Sequence, residues 1–205
     1  MISTTKLIRD RITHFKRGKI FFLSDFADLG SSNTIRKTIS RFCDEGIIIR
    51  SGRGIYTYPK IDKYFGLGNI TASNDEIAKA YAKRKGDELY LTTTAAQNLL
   101  GLDTQNQTKT VYLTNGRTAT IKTNNEDVIK LIHTADKTLS KYRSKQMQLL
   151  NIALSGYQNK IIDINTRKKI KRIVSNVDKS DYKNDIKLMS TWKRDLIYAM
   201  RQENS

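Results

Sequence analysis

The chain has 205 residues, with 37 lysines and arginines against 20 acidic residues, a net charge of +17 and a pI of about 9.9. A hydrophobic fraction of 38% can fill a core, which excludes wholesale disorder. No apolar run approaches the roughly 20 residues needed to span a bilayer, which excludes a membrane helix. Such an excess of positive charge marks a chain that meets a polyanion, nucleic acid first and an anionic membrane surface second, unless it is only background composition. "MISTTKLIRDRITHF" lacks the apolar core of a signal peptide, and the single Cys43 cannot form an internal disulfide. Both features fit a reducing cytoplasm, where the protein is expected to act.

Ile8, Ile12 and Phe15 mark the apolar stripe of a first helix, with Lys16 and Arg17 in its last turn and Gly18 at its end. "KIFFL" reads as a strand. Ser24 can cap a short second helix, "SDFADL", that buries Phe26 and Leu29 and stops at Gly30. Ser31 and Ser32 are both good caps for a third helix, "NTIRKTISRFCDE". Its Ile35, Ile39, Phe42 and Cys43 share one face, while Asn33, Thr34, Arg36, Lys37, Ser40 and Arg41 fall elsewhere. Gly46 suits the position after the helix. "IIIRS" and "GIYTY" then flank a glycine-bearing turn and stop at Pro59, the only proline, so they read as a hairpin.

Three helices followed by a hairpin is the order of a winged helix-turn-helix, expected over residues 1–60. The third helix is then the recognition helix: side chains near its N-terminus read base edges, and Asn33, Arg36, Lys37, Ser40 and Arg41 are among its candidate DNA contacts. Ser31, Ser32 and Thr34 can bond phosphates beside its N-terminus. Arg53 sits at the hairpin tip and Arg50 at its base, in reach of phosphate or the minor groove. The plainer alternative is that these side chains form only a solvated face.

Residues 61–205 are expected to form a small α+β domain with a C-terminal helical segment, so the fold class is α+β. A linker is expected from 60 to 73, and Ser73 with Glu76 forms a capping box for the helix that follows. "ELYL" is a strand, and "TTTAAQNLLGL" is a helix with Ala95, Ala96, Leu99 and Leu100 inward. "KTVYLTNGRTATIKT" is a hairpin around a type I′ turn at Asn115-Gly116, and "DVIKLIHT" is a further strand. "KQMQLLNIALSGY" is the central helix of this half. "INTRKKIKRIVSN" takes Asn165 or Thr166 as its cap and carries a basic face from Arg167 to Arg172. The last helix carries Leu188, Trp192, Leu196 and Met200.

No catalytic constellation is visible. His14 and His133, the only histidines, fall in different expected domains, and Asp25 and Asp28 read as exposed. The protein is therefore expected not to be an enzyme, with no catalytic residue, metal or cofactor. A carboxylate-only nuclease that uses the N-terminal domain to read its substrate is the remaining enzymatic option.

The stretch from Gly18 to Lys60 resembles the N-terminal winged-helix region of AbiEi-type antitoxins of type IV toxin–antitoxin systems, nearest to a branch of unknown function. The resemblance is carried by Gly18, Phe21, Asp25, Phe26, Ser40, Arg41, Gly46, Arg50, Gly54, Tyr56 and Pro59. Ile39 and Phe42 stand where leucines are commoner. Further on, "TTAAQNLLGLDTQ", "VYLTNG", "NIALSG" and the terminal helix are similar to that family's C-terminal domain. The resemblance implies a role in abortive infection: a repressor that binds double-stranded DNA at its own operator and counters a nucleotidyltransferase-like toxin encoded beside it. It does not imply direct contact with that toxin. The alternative is a stand-alone winged-helix transcription regulator with a dimerisation or sensing domain.

Overall fold

The structure, a computed structural model, describes residues 3–62, 66, 68–104 and 110–202. α1 (Thr4–Thr13) is capped by the Ser3 hydroxyl, which accepts from the Lys6 amide, and it buries Ile8 and Ile12. It ends sooner than the sequence suggests. The His14 amide closes it on the Asp10 carbonyl, so Lys16 and Arg17 lie beyond its last turn. Arg17 instead donates to the Pro59 carbonyl at 3.0 Å and lies over the Tyr58 ring.

β1 (Ile20–Phe22) runs into a single 3₁₀ turn, Leu23–Phe26, where a short α-helix was expected. Asp25 holds this turn by accepting the Phe22 amide at 2.9 Å, and Asp28 receives two bonds from Arg11, each 2.7 Å. α2 (Ser32–Asp44) takes Ser31 as its cap and buries Ile35, Thr38, Ile39 and Phe42. Cys43 is half-buried. The helix closes in a Schellman motif: the Gly46 amide reaches the Cys43 carbonyl and the Ile47 amide the Phe42 carbonyl, both at 3.0 Å. That closure uses Ile47 and Ile48, so the next strand starts late.

β2 (Ile49–Gly52) and β3 (Ile55–Thr57) flank Arg53 and Gly54, and Gly54 supplies the positive φ of 73° that the tight turn requires. The three strands are antiparallel in the order β1-β3-β2. Phe21 fills the core between this sheet and the helices. Its ring meets Phe26 edge-on at 5.5 Å and stacks on Tyr56 at 5.9 Å.

β4 (Lys60–Ile61) pairs with β5 (Asn69–Ile70), so the expected linker from 60 to 73 is a small ladder at its ends. Residues 63–65 and 67 of that stretch lie outside the described residues. α3 (Asn74–Lys85) carries the expected capping box of Ser73 and Glu76. The Ser73 amide holds the Glu76 carboxylate below its usual pKa range. Then follow β6 (Leu89–Leu91), α4 (Thr93–Leu99), β7 (Thr110–Thr114), β8 (Ala119–Lys122), β9 (Val128–His133), α5 (Lys145–Leu154), α6 (Ile164–Ser175), α7 (Lys179–Asp185) and α8 (Thr191–Gln202). The fold is mixed α+β.

The chain divides into two compact units, Met1–Gly86 with Ala119–Lys130, and Asp87–Thr118 with Leu131–Ser205. The first unit thus extends well past residue 60 and recruits β8 and the start of β9 from mid-chain. β2 explains this. It is the edge of its sheet, and Gly52 forms an antiparallel bridge with Thr123.

The hairpin expected around Asn115-Gly116 does not form, because β8 pairs with β9 and not with β7. Neither turn residue takes the positive φ of a type I′ turn. Asn115 Oδ1 accepts the Glu88 amide at 2.8 Å, and a Cβ on Gly116 would strike the Asp87 carboxylate. In the second unit α5 is the centre, buried without a break from Met147 to Leu154. α6 is capped by Asp163, not by Asn165 or Thr166, because the Asp163 carboxylate accepts both of their amides. Leu99, expected inward, is exposed, and Gln97 is turned in to donate to the Ala153 carbonyl at 3.0 Å.

Lys193 is buried in α8 although it lies on a helix read from its apolar stripe. Its ammonium donates to the Asn151 carbonyl (2.6 Å), Asn151 Oδ1 (2.9 Å) and Ser155 Oγ (2.8 Å). Burial lowers its pKa. Lys193→Ala takes the ammonium from both Asn151 acceptors, leaving the carbonyl only the long 3.5 Å bond from Ser155 Oγ, and should reduce the unfolding free energy by about 2 kcal/mol. Phe21→Ala should cost more, about 3–5 kcal/mol, because it opens a cavity in a fully buried aromatic cluster. Urea denaturation of the two variants checks both values.

Candidate nucleic-acid interface

Most arginines of the first unit have structural work. Arg9 pairs with Glu45 at 2.9 Å and covers the Phe42 ring. Arg11 holds Asp28, and Arg17 holds Pro59 and Tyr58. Arg41 reaches Glu45 at 3.5 Å and Thr5 Oγ1 at 3.3 Å, so it faces α1.

Arg36, Arg50 and Arg53 are different. All are exposed, and among the described residues none has an ion pair or a guanidinium hydrogen bond. They line one groove of about 610 Å³ between α2 and the β2–β3 hairpin. Two periodicities assemble it. Arg36, Ser40 and Asp44 follow at four-residue steps along α2, so they share a helix face. Arg50 is the ladder partner of Tyr56, so both point to the same side of the sheet. Arg53 enters from the turn.

Burial pushes the Tyr56 hydroxyl pKa up, while the charge of Arg50 pulls it down, Cys43 adds to the rise and Arg36 opposes it. The Cys43 thiol is pushed up chiefly by burial and also by Asp44, against the pull of Arg50, so it stays protonated. Among the described residues Asp44 is the one carboxylate in the lining. The groove therefore offers several fork-shaped donors on a partly apolar floor, a chemistry suited to phosphate oxygens and base edges.

The remaining candidates lie apart from it. Ser31, Ser32, Asn33 and Thr34 are exposed at the start of α2. The Ser31 hydroxyl is occupied by the Thr34 amide (3.2 Å) and the Thr34 hydroxyl (2.9 Å). Ser32 lines a smaller pocket of about 250 Å³ with Leu23, Ala27 and Ile35. Lys37 is exposed without lining either space. Thr123 and Asn124, which no functional motif marks in the sequence, sit on the outer edge of β2. The Asn124 amide donates to the Ser51 carbonyl at 3.1 Å and its Nδ2 to the Arg50 carbonyl at 2.5 Å. The available signal was Gly52, since a glycine inside a strand often marks a close backbone approach. Among the described residues no group of three or more His, Cys, Asp or Glu side chains could hold a metal, and no helix is long and apolar enough to cross a membrane.

A family model matches residues 7–182, a range that takes in most of α1, all of α2 to α6 and the whole groove. The chain belongs to this family of unknown function, DUF6088. No curated protein matches the chain. Within this DUF6088 chain the groove arginines and the structural arginines should separate by stability. Arg36→Ala, Arg50→Ala and Arg53→Ala should each stay within about 0.5 kcal/mol of the wild type, as expected where no partner is lost. Arg17→Ala should cost about 1 kcal/mol through its lost carbonyl bond and ring contact. Chemical denaturation of the four variants distinguishes the two groups.

Proposed function

We propose that the first unit is a winged helix-turn-helix that binds double-stranded DNA, and that the protein is a cytoplasmic, non-enzymatic antitoxin that represses its own operon. In this role it counters a nucleotidyltransferase-like toxin. The observation that carries the DNA-binding role is the set of uncommitted guanidinium groups, from Arg36, Arg50 and Arg53, gathered in one groove. α2 then acts as the recognition helix and the β2–β3 hairpin as the wing. The element order supports this: α1, a 3₁₀ turn in place of a second helix, α2, and a hairpin that pairs back onto β1. The antitoxin role rests on the sequence resemblance. Phe21, Phe26 and Tyr56 carry part of it and form the aromatic core, while Gly46 and Gly54 close α2 and the hairpin.

The experiment is footprinting and titration of the full chain on the DNA upstream of its own gene. If the site neutralises about six phosphates, log K should fall with log salt at a slope of roughly −5. Arg36→Ala should weaken operator binding more than random-DNA binding, because base readout is lost. Arg53→Ala should weaken both by similar factors if it meets phosphate. An affinity unchanged in the triple Arg36, Arg50, Arg53 alanine variant sinks the assignment. Growth under induction of the neighbouring toxin tests the second role: the triple variant should protect cells yet leave a promoter reporter derepressed. Protection absent from the wild type, with operator binding intact, would leave the stand-alone regulator. Point variants serve better than truncation here, because a chain starting after residue 61 leaves 119–130 without β2.

A further inference from the structure

β2 carries Arg50 and leads into Arg53, yet it is short, lies at a sheet edge, and shifts register between Arg50 and Gly52. A strand of that kind frays and twists freely unless something closes its outer side. Here three successive residues are tied on that side. The Arg50 carbonyl accepts from Asn124 Nδ2, the Ser51 carbonyl from the Asn124 amide, and Gly52 bridges Thr123. The approach is close enough that a Cβ on Gly52 would lie 2.9 Å from the Lys122 carbonyl. The closing segment is itself anchored. The Thr123 amide donates to the Asp127 carbonyl at 3.0 Å, and Asn74 of α3 donates to the Asp127 carboxylate at 3.0 Å.

We propose that Lys122–Asn124 is a clasp that sets the groove arginines for nucleic acid, with Asn124 as the positioning residue; this rests on the groove being the DNA site. Any residue but proline at 124 can make the backbone bond to Ser51. The bond to the Arg50 carbonyl needs a side-chain N–H donor of this reach. It holds the peptide from which the Arg50 guanidinium extends, one turn away from Arg53. Holding that backbone before DNA arrives removes an ordering cost from the binding step. Lys122, exposed beside Gly52, adds positive charge to the same edge.

The test uses the full chain, a labelled duplex from upstream of its own gene and a random duplex of equal length, with affinity read by fluorescence anisotropy. Asn124→Ala should bind the upstream duplex about fivefold more weakly, the loss of one hydrogen bond, while melting near the wild type. Arg50→Ala keeps the carbonyl that Asn124 holds, so a double-mutant cycle is clean. If Asn124 acts through Arg50, Asn124→Ala should add little to Arg50→Ala. A purely structural role would add its full factor. Gly52→Ala, which pushes the clasp off from the β2 side, should show the same coupling and gives a second reading should Asn124→Ala melt early. Wild-type affinity in both Asn124→Ala and Gly52→Ala, or full additivity with Arg50→Ala, overturns the clasp. With Arg50→Ala still impaired, such a result leaves the DNA-binding role standing. A wild-type chain that binds neither duplex removes that role and the clasp together.

Discussion

An exposed sheet edge must be satisfied by something, and in the first unit this constraint organises much of what surrounds β2. The strand has only β3 on one side. Its outer carbonyls at Arg50 and Ser51 are taken by a segment some seventy residues downstream, at Asn124. Gly52 has no side chain because the Lys122 carbonyl occupies the space. The two glycines around Arg53 therefore do different jobs. Gly54 supplies a backbone angle, and Gly52 supplies room for a neighbouring strand.

That closure also bears on charge. A basic chain can spread its cations as a solvated shell or commit them. Here Arg9, Arg11, Arg17 and Arg41 are held by carboxylates, carbonyls, hydroxyls or aromatic faces. These contacts are mostly exposed, and each contributes little alone. Their effect is to leave Arg36, Arg50 and Arg53 as the groove's uncommitted guanidinium groups, beside a buried Tyr56. The proposed DNA-binding role depends on this sorting more than on the total charge.

The second unit follows another logic. Its central helix is buried from Met147 to Leu154, so the polar side chains along that stretch must find partners inside. Gln148 donates to the Leu139 carbonyl at 2.7 Å, and Asn151 receives Lys193. Asp185, fully buried, accepts the Arg143 and Ser144 amides at 2.9 and 2.7 Å. These bonds tie α7 and α8 to α5 and fix how the surrounding helices register.

Local pattern in the sequence determined the core of α1 and α2, the caps at Ser31 and Ser73, the Gly46 exit, the β2–β3 hairpin and the central α5. Each depends on neighbours within a few residues, where periodicity and turn chemistry act directly. The same local logic failed where a distant partner intervened. Asn115-Gly116 has the composition of a hairpin turn, but β8 pairs with β9 and Asn115 is used by Glu88. Asp163 outcompeted Asn165 and Thr166 for the cap because its carboxylate accepts two amides at once. Of the candidate contact residues, Arg36, Ser40, Arg50 and Arg53 were brought into one groove, Arg41 was turned towards α1, and Ser31 was absorbed by its own helix. Only the tertiary structure decided that the first unit takes in residues 119–130 and that Asn124 closes on Arg50. Edge pairing depends on which backbone groups remain unpaired once the sheet has formed, and no local pattern encodes that.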